Sequence, residues 1–185
     1  MKAYVITHVS SFEPRAEAVG NWLREQGADV SWICSDFDHI GGCTVSRVNP
    51  DNIYLHLDPY QKNLSLKRMK SIYSFAESVG KYLSGRQFDL LYIIVPANSF
   101  VPVAEKLKKQ SGAKVVFDIL DLWPESIPIP GIQKLPPLKI WRNLRDRHIS
   151  CADLIFTECR LYQELISLPQ EKTHTLYLFG KHEDE

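Results

Sequence analysis

Apolar and polar positions along this chain fall into blocks whose period switches between that of a strand and that of a helix. KAYVITHV, at residues 2–9, reads as a first strand. Residues 15–26, RAEAVGNWLREQ, place Ala16, Val19 and Leu23 on one helical face. A glycine then ends the helix and GADVSWIC begins a strand. The same device recurs at residue 112, where EKLKKQS gives way to GAKVVFDI. Two helix–Gly–Ala–strand junctions imply one local unit used twice, which is βα architecture and not a sandwich.

Residues 36–52, with Gly41, Gly42 and Pro50, read as a long loop, and NIYLHLD as a short strand ended by Pro59. Over residues 65–83, Met69, Ile72, Ala76, Val79 and Leu83 form an apolar helical stripe. FDLLYIIVP is nearly all apolar, as a parallel strand buried on both faces should be, and its proline stops the ladder. Helices follow over 99–110, near 138–149 and over RLYQELIS, with ADLIFT and THTLYLF as the last strands. The order predicts an α/β fold: a Rossmann-like, open, mostly parallel sheet with helices on both faces. One domain over residues 1–180 is expected, with 181–185 a charged tail or the start of a linker.

Composition narrows the classes. Lys and Arg total 22 against 22 Asp and Glu, so no basic field points to nucleic acid. Lys62, Lys67, Arg68 and Lys70 form the densest basic run; a solvated helix face explains it, and a membrane surface or a phosphate is the alternative. Cys34, Cys43, Cys151 and Cys159 lack metal or redox spacing. His8, His39 and His56 lack it too, so no metal or cofactor is expected. The start has too short an apolar run for a signal peptide, and no run approaches bilayer length. A cytoplasmic protein is expected, working at the inner face of the membrane if the basic run meets lipid.

Ligands of open α/β sheets sit beyond the carboxyl ends of the strands. Four loops qualify: His8–Arg15, Pro96–Phe100, Asp118–Ser126 and Thr157–Arg160. The first has no glycine-rich fingerprint, which argues against a dinucleotide there. Ser11 either holds a polar ligand or leads the chain into the helix, and Arg15 either meets an anion or faces solvent. Asn98 or Ser99 is expected to cap the next helix, with a hydroxyl in the cleft as the rival partner. In DILDLWPES, alternation puts Asp118 on the face opposite Phe117 and Ile119, and a carboxylate inside a sheet layer must be paired. Asp121 either fixes the loop through backbone amides or acts on a hydroxyl or sugar. Trp123 stacks on a sugar or packs under the loop, and Glu125 is expected to be the most exposed. His148 is expected to be a packing or surface residue, and no G-x-S-x-G element exists.

Four stretches resemble the N-terminal domain of family 4 glycosyltransferases of the GT-B fold, in the capsular and exopolysaccharide group. They are DILDLWPES, LHLDPYQKNLSLKRM, ADLIFTECRLYQELI and KTHTLYLFGK. The resemblance implies one half of a two-domain enzyme with the acceptor on this side. A nucleotide-sugar donor would be bound by a C-terminal half absent from these residues. It implies retaining sugar transfer to a glycan or lipid-linked acceptor, with no metal-bound donor. It places Thr157 and Glu158 near the cleft and makes Asp121 and Glu158 the catalytic candidates. Ser11, Arg15, Asn98, Trp123, Glu125 and Thr157 are the binding candidates. Leu120 stands where members of the group carry histidine or arginine, so that basic group is lost or supplied elsewhere. The alternatives are a non-catalytic subunit that pairs with a separate donor-binding subunit, and an unrelated small α/β enzyme.

Overall fold

The computed structural model describes residues 1–46, 49–50, 52–62, 64–95, 97–166 and 168–177. Their order is β1 (Lys2–Thr7), α1 (Glu13–Glu25), β2 (Asp29–Ser35), β3 (Phe37–Asp38), β4 (Cys43–Thr44), β5 (Asn52–Leu55) and α2 (Leu66–Leu83). Then come β6 (Leu90–Ile94), α3 (Phe100–Ser111), β7 (Lys114–Ile119), α4 (Pro136–Asp146), β8 (Leu154–Thr157), α5 (Arg160–Leu165) and β9 (Thr173–Thr175). Seven strands form one sheet in the order β5-β2-β1-β6-β7-β8-β9, and every pairing is parallel. The chain is therefore Rossmann-like, as its periodicity predicts.

The two helix–Gly–Ala–strand junctions explain themselves locally. Gly27 and Gly112 lie at φ +82° and +73°, the left-handed region that a Cβ disfavours. Ala28 and Ala113 then turn into the core. The stripe on α2 is also as expected: Ile72, Ala76, Val79 and Leu83 are buried, with Met69 half-buried at its start. The Ser65 side chain caps this helix by accepting from the Arg68 N–H.

Both sheet faces are covered, but unequally. Tyr4, Ile6, Leu91, Ile93, Val115, Phe117 and Ile119 face a large core closed by α2, α3 and α4. Ala3, Val5, Tyr92, Ile94, Val116 and Leu120 face a smaller core under α1. Leu120 is thus an apolar plug beneath α1 and is 4% exposed.

Several boundaries move. The strand over 52–58 ends at Leu55, and the loop over 36–52 contains a two-residue antiparallel ribbon, β3 with β4. The helix near 138–149 begins at Pro136 and ends at Asp146. The last strand pairs over Thr173–Thr175; the rest of its expected span from residue 178, and the tail at 181–185, lie outside the described residues. Pro96 of the second candidate loop and Asn63 of the KNLSLKR stretch also lie outside them.

Candidate functional site

Strand order reverses between β1 and β6: β2 and β5 lie to one side of β1, and β6 to β9 to the other. That reversal opens a crevice at the carboxyl ends of the strands. The loops after β1, β6, β7 and β8 stand side by side along this edge. The amino end of α2 reaches the same edge, because α2 returns antiparallel to the sheet.

The stretch 118–126 is anchored at nearly every residue. Asp118 is fully buried on the α1 side, opposite Phe117 and Ile119, as alternation predicts. Its carboxylate accepts from Arg15 Nε at 2.6 Å, Arg15 Nη2 at 3.0 Å and the Tyr92 hydroxyl at 2.5 Å. Arg15 also donates to the Leu176 carbonyl. Burial works against the Arg15 cation, but Asp118 outweighs it and raises its pKa. Burial, reinforced by the same carboxylate, pushes the Tyr92 phenol well up.

Further along, Trp123 packs edge-to-face on Trp141, with ring centroids 5.9 Å apart. The Asn98 amide donates to the carbonyls of Trp123 and Trp141. The capping expectation fails here: neither Asn98 nor Ser99 caps α3, since these carbonyls take the Asn98 amide and Ser99 is itself helical in backbone. Glu125 was expected to be exposed. Instead its carboxylate accepts two bonds from Arg145, at 2.6 and 3.3 Å, and its side chain is 12% exposed. This pair ties the loop to α4.

Asp121 is the carboxylate of the stretch that no cation claims. It accepts from Ser126 Oγ at 3.1 Å and is half-buried. Burial raises its pKa, against the Ser126 hydrogen bond, the positive field of Arg68 and the Leu122 N–H. Arg68 comes from the first turn of α2, its guanidinium carbon 5.2 Å from the centre of the Trp123 ring and 5.8 Å from that of Tyr60. Tyr162, on α5, feels the charges of Glu158 and Asp121; burial, then these charges, raises its pKa. Asp121, Arg68 and Trp123 thus stand together, and Glu158 joins the same edge through its N–H, which donates to the Ile119 carbonyl at 3.2 Å.

Behind them, at the strand-order reversal, lies His8. It is 1% exposed, and neither ring nitrogen has a hydrogen-bond partner. Phe75, Phe100 and His39 surround it. Burial, then the nearby His39 and Arg68, holds its pKa well below the usual value, so the ring is neutral at pH 7. His39 Nε2 lies 2.8 Å from the His8 carbonyl, which can only accept. His39 Nδ1 lies 2.5 Å from the Tyr60 hydroxyl and is hydrogen-bonded to it.

Of the sequence candidates, the structure brings Asp121, Trp123 and Glu158 to one place. Asn98 lies beneath them as a buried brace. Thr157 is fully buried and accepts from Gln163, which also bonds Thr175. Ser11 is exposed in the 3-10 turn Ser10–Phe12, and Arg15 is committed to Asp118. Sequence reasoning passed over Arg68 and Tyr162. Arg68 sits inside a basic run that resembles a solvated face, and only its place in the first turn of α2 sets it apart from its neighbours. Among the described residues no cluster of His, Cys, Asp or Glu is arranged to hold a metal.

No protein family profile matches the chain, and no curated protein does. Solved structures do match. Sucrose-phosphate synthase from Thermosynechococcus elongatus superposes with a TM-score of 0.65 at 13% identity, over 96% of this chain and 48% of that one. UDP-N-acetylglucosamine 2-epimerase from Rickettsia bellii gives 0.59 at 12% identity, over 95% and 44%. Anabaena HepE in complex with UDP and glucose gives 0.51 at 14%, over 96% and 44%. The chain has the fold of one half of a GT-B protein. It spans about half the length of these structures. Among the described residues no helix is long and apolar enough to cross a membrane.

Proposed function

We propose that this chain is the acceptor-side half of a retaining glycosyltransferase of the family 4 type, taking a glycan or lipid-linked acceptor. The donor, a nucleotide sugar, is held by a second domain or subunit. The convergence of Asp121, Glu158, Arg68 and Trp123 at the crevice edge supports this best. Asp121 is poised for the chemistry an acceptor needs: a half-buried carboxyl with a raised pKa accepts a proton from a hydroxyl more readily than an exposed one. Glu158 orients a neighbouring hydroxyl. Trp123 is buried against Trp141 and covered by Arg68, whose guanidinium forms a cationic wall suited to a phosphate. Arg68 also supplies the positive charge that the resemblance expects at position 120, where Leu120 is turned away under α1.

The alternative reading is a binding subunit that pairs with a separate donor half. One experiment serves both. Sugar transfer from labelled nucleotide sugars to octyl glycosides is measured for the chain alone and with the donor-binding half encoded after or beside it. Transfer only in combination, reduced about 100-fold or more by Asp121→Asn, supports the first reading. Full transfer with Asp121→Asn removes Asp121 from the chemistry and favours the binding subunit.

A further inference from the structure

Two stretches remote in sequence are free of carboxylates. None occurs between Asp58 and Glu77, or between Glu125 and Asp146, in a chain whose charges balance as a whole. The fold packs these stretches together. The amino end of α2 meets the segment before α4 across an open groove of about 160 Å³. Leu64, Leu66, Met69, Leu135 and Pro137 line it. Leu64, Leu66 and Leu135 remain 48%, 67% and 52% exposed, although each is a large apolar side chain.

Lys62, Lys67, Lys70, Lys134 and Lys139 belong to the same two stretches, and all are exposed. Among the described residues none of them is in a salt bridge. The three arginines of these stretches are different: Arg68 stacks on Trp123, Arg142 pairs with Asp146 and Arg145 binds Glu125.

We propose that this face docks on an anionic lipid surface, with the leucines entering the headgroup boundary and the lysines meeting lipid phosphates. Three observations select this occupant. The groove is smaller than the roughly 300 Å³ at which pockets begin to enclose a small molecule, so an extended surface fits better than a ligand. Protein interfaces are depleted in lysine, whereas here lysines flank the apolar residues. Exposed leucines joined to unpaired lysines, on two stretches that carry no carboxylate of their own, form the pattern of a helix end lying in a membrane interface. The carboxyl edge of the sheet adjoins this face, because Arg68 and Lys67 share one turn of α2. The docking stands independently of sugar transfer.

Vesicle co-sedimentation tests it. Phosphatidylcholine vesicles are compared with vesicles holding about 30 mol% phosphatidylglycerol, at low and at physiological salt. The chain should bind the anionic vesicles, more tightly at low salt. Each basic side chain near such a surface strengthens attraction about fivefold, so Lys67→Glu/Lys70→Glu/Lys134→Glu should weaken binding more than tenfold. Leu64→Ser/Leu66→Ser/Leu135→Ser should weaken it several-fold, while Lys81→Glu/Lys106→Glu on another surface should not. All these positions are exposed, and matching circular-dichroism melts would verify that the variants fold. No binding at low salt, equal binding to neutral vesicles, or binding untouched by either triple variant would overturn the proposal.

Discussion

Asp118 and Asp121 stand three positions apart at the end of one strand, yet their surroundings are opposite. Asp118 is sealed under α1, where two Arg15 nitrogens and the Tyr92 hydroxyl satisfy it. Asp121 lies at the mouth of the crevice with one serine bond, beside Arg68, Glu158 and Tyr162. The first arrangement closes a circuit and leaves nothing for a ligand. The second leaves hydrogen-bonding capacity open and a carboxyl destabilised in its charged form. A buried polar group with all its partners is a fold device; one without them is an offer to something else. His8, neutral and unpartnered among His39, Phe75 and Phe100, belongs to the second kind.

Stability measurements should separate the two aspartates most widely. Asp118→Ala leaves the Arg15 cation buried and alone, and should cost about 3–5 kcal/mol in urea unfolding. The double change Arg15→Met/Asp118→Leu should cost less than Asp118→Ala, because no charge is stranded. Asp121→Asn should stay within about 0.5 kcal/mol of the parent, or gain stability, since burial already disfavours its charge. Equal losses from Asp118→Ala and Asp121→Asn would erase the distinction.

The pH dependence sharpens it more gently. His8 protonates near pH 6.5 in the unfolded chain but well below that when folded. The unfolded state therefore binds more protons in between. Stability is fully present above about pH 6.5 and falls as the pH drops through that window, by up to about 1.4 kcal/mol per pH unit. His8→Phe, which fills the same space without nitrogens, should flatten this slope. Asp153, held at a pKa of about 2 against its own burial by the Lys108 hydrogen bond, loses its contribution only below about pH 4, so it leaves the slope between pH 6.5 and 5 to His8. An unchanged slope between pH 6.5 and 5 in His8→Phe would contradict the burial of a neutral ring.

Much of this was legible in the sequence for local reasons. A period of two or 3.6 residues announces each element. The Gly–Ala junctions declare their left-handed turn, and alternation alone assigned Asp118 to the face opposite Phe117. The partners were not legible. Arg15 meets Asp118 across 103 residues, and only the adjacency of α1 to this sheet face brings them together. Glu125 looked solvent-facing because its partner, Arg145, sits on a helix 20 residues later. Asn98 had the chemistry of a cap, and the fold gave it two carbonyls instead. Arg68 was hidden among lysines of the same charge, and its side of the helix is set by the packing of α2, not by its type.

The most direct test is a titration followed by NMR. Acceptor-like octyl glycosides, with and without a phosphate, are added to the labelled chain up to millimolar concentration. Shifts should appear at Arg68, Asp121, Trp123 and Tyr162, while Arg15, Tyr92 and Asp118 stay fixed. Shifts centred on Arg15 and Asp118, or none anywhere at millimolar ligand, would contradict the assignment of the crevice edge as the acceptor site.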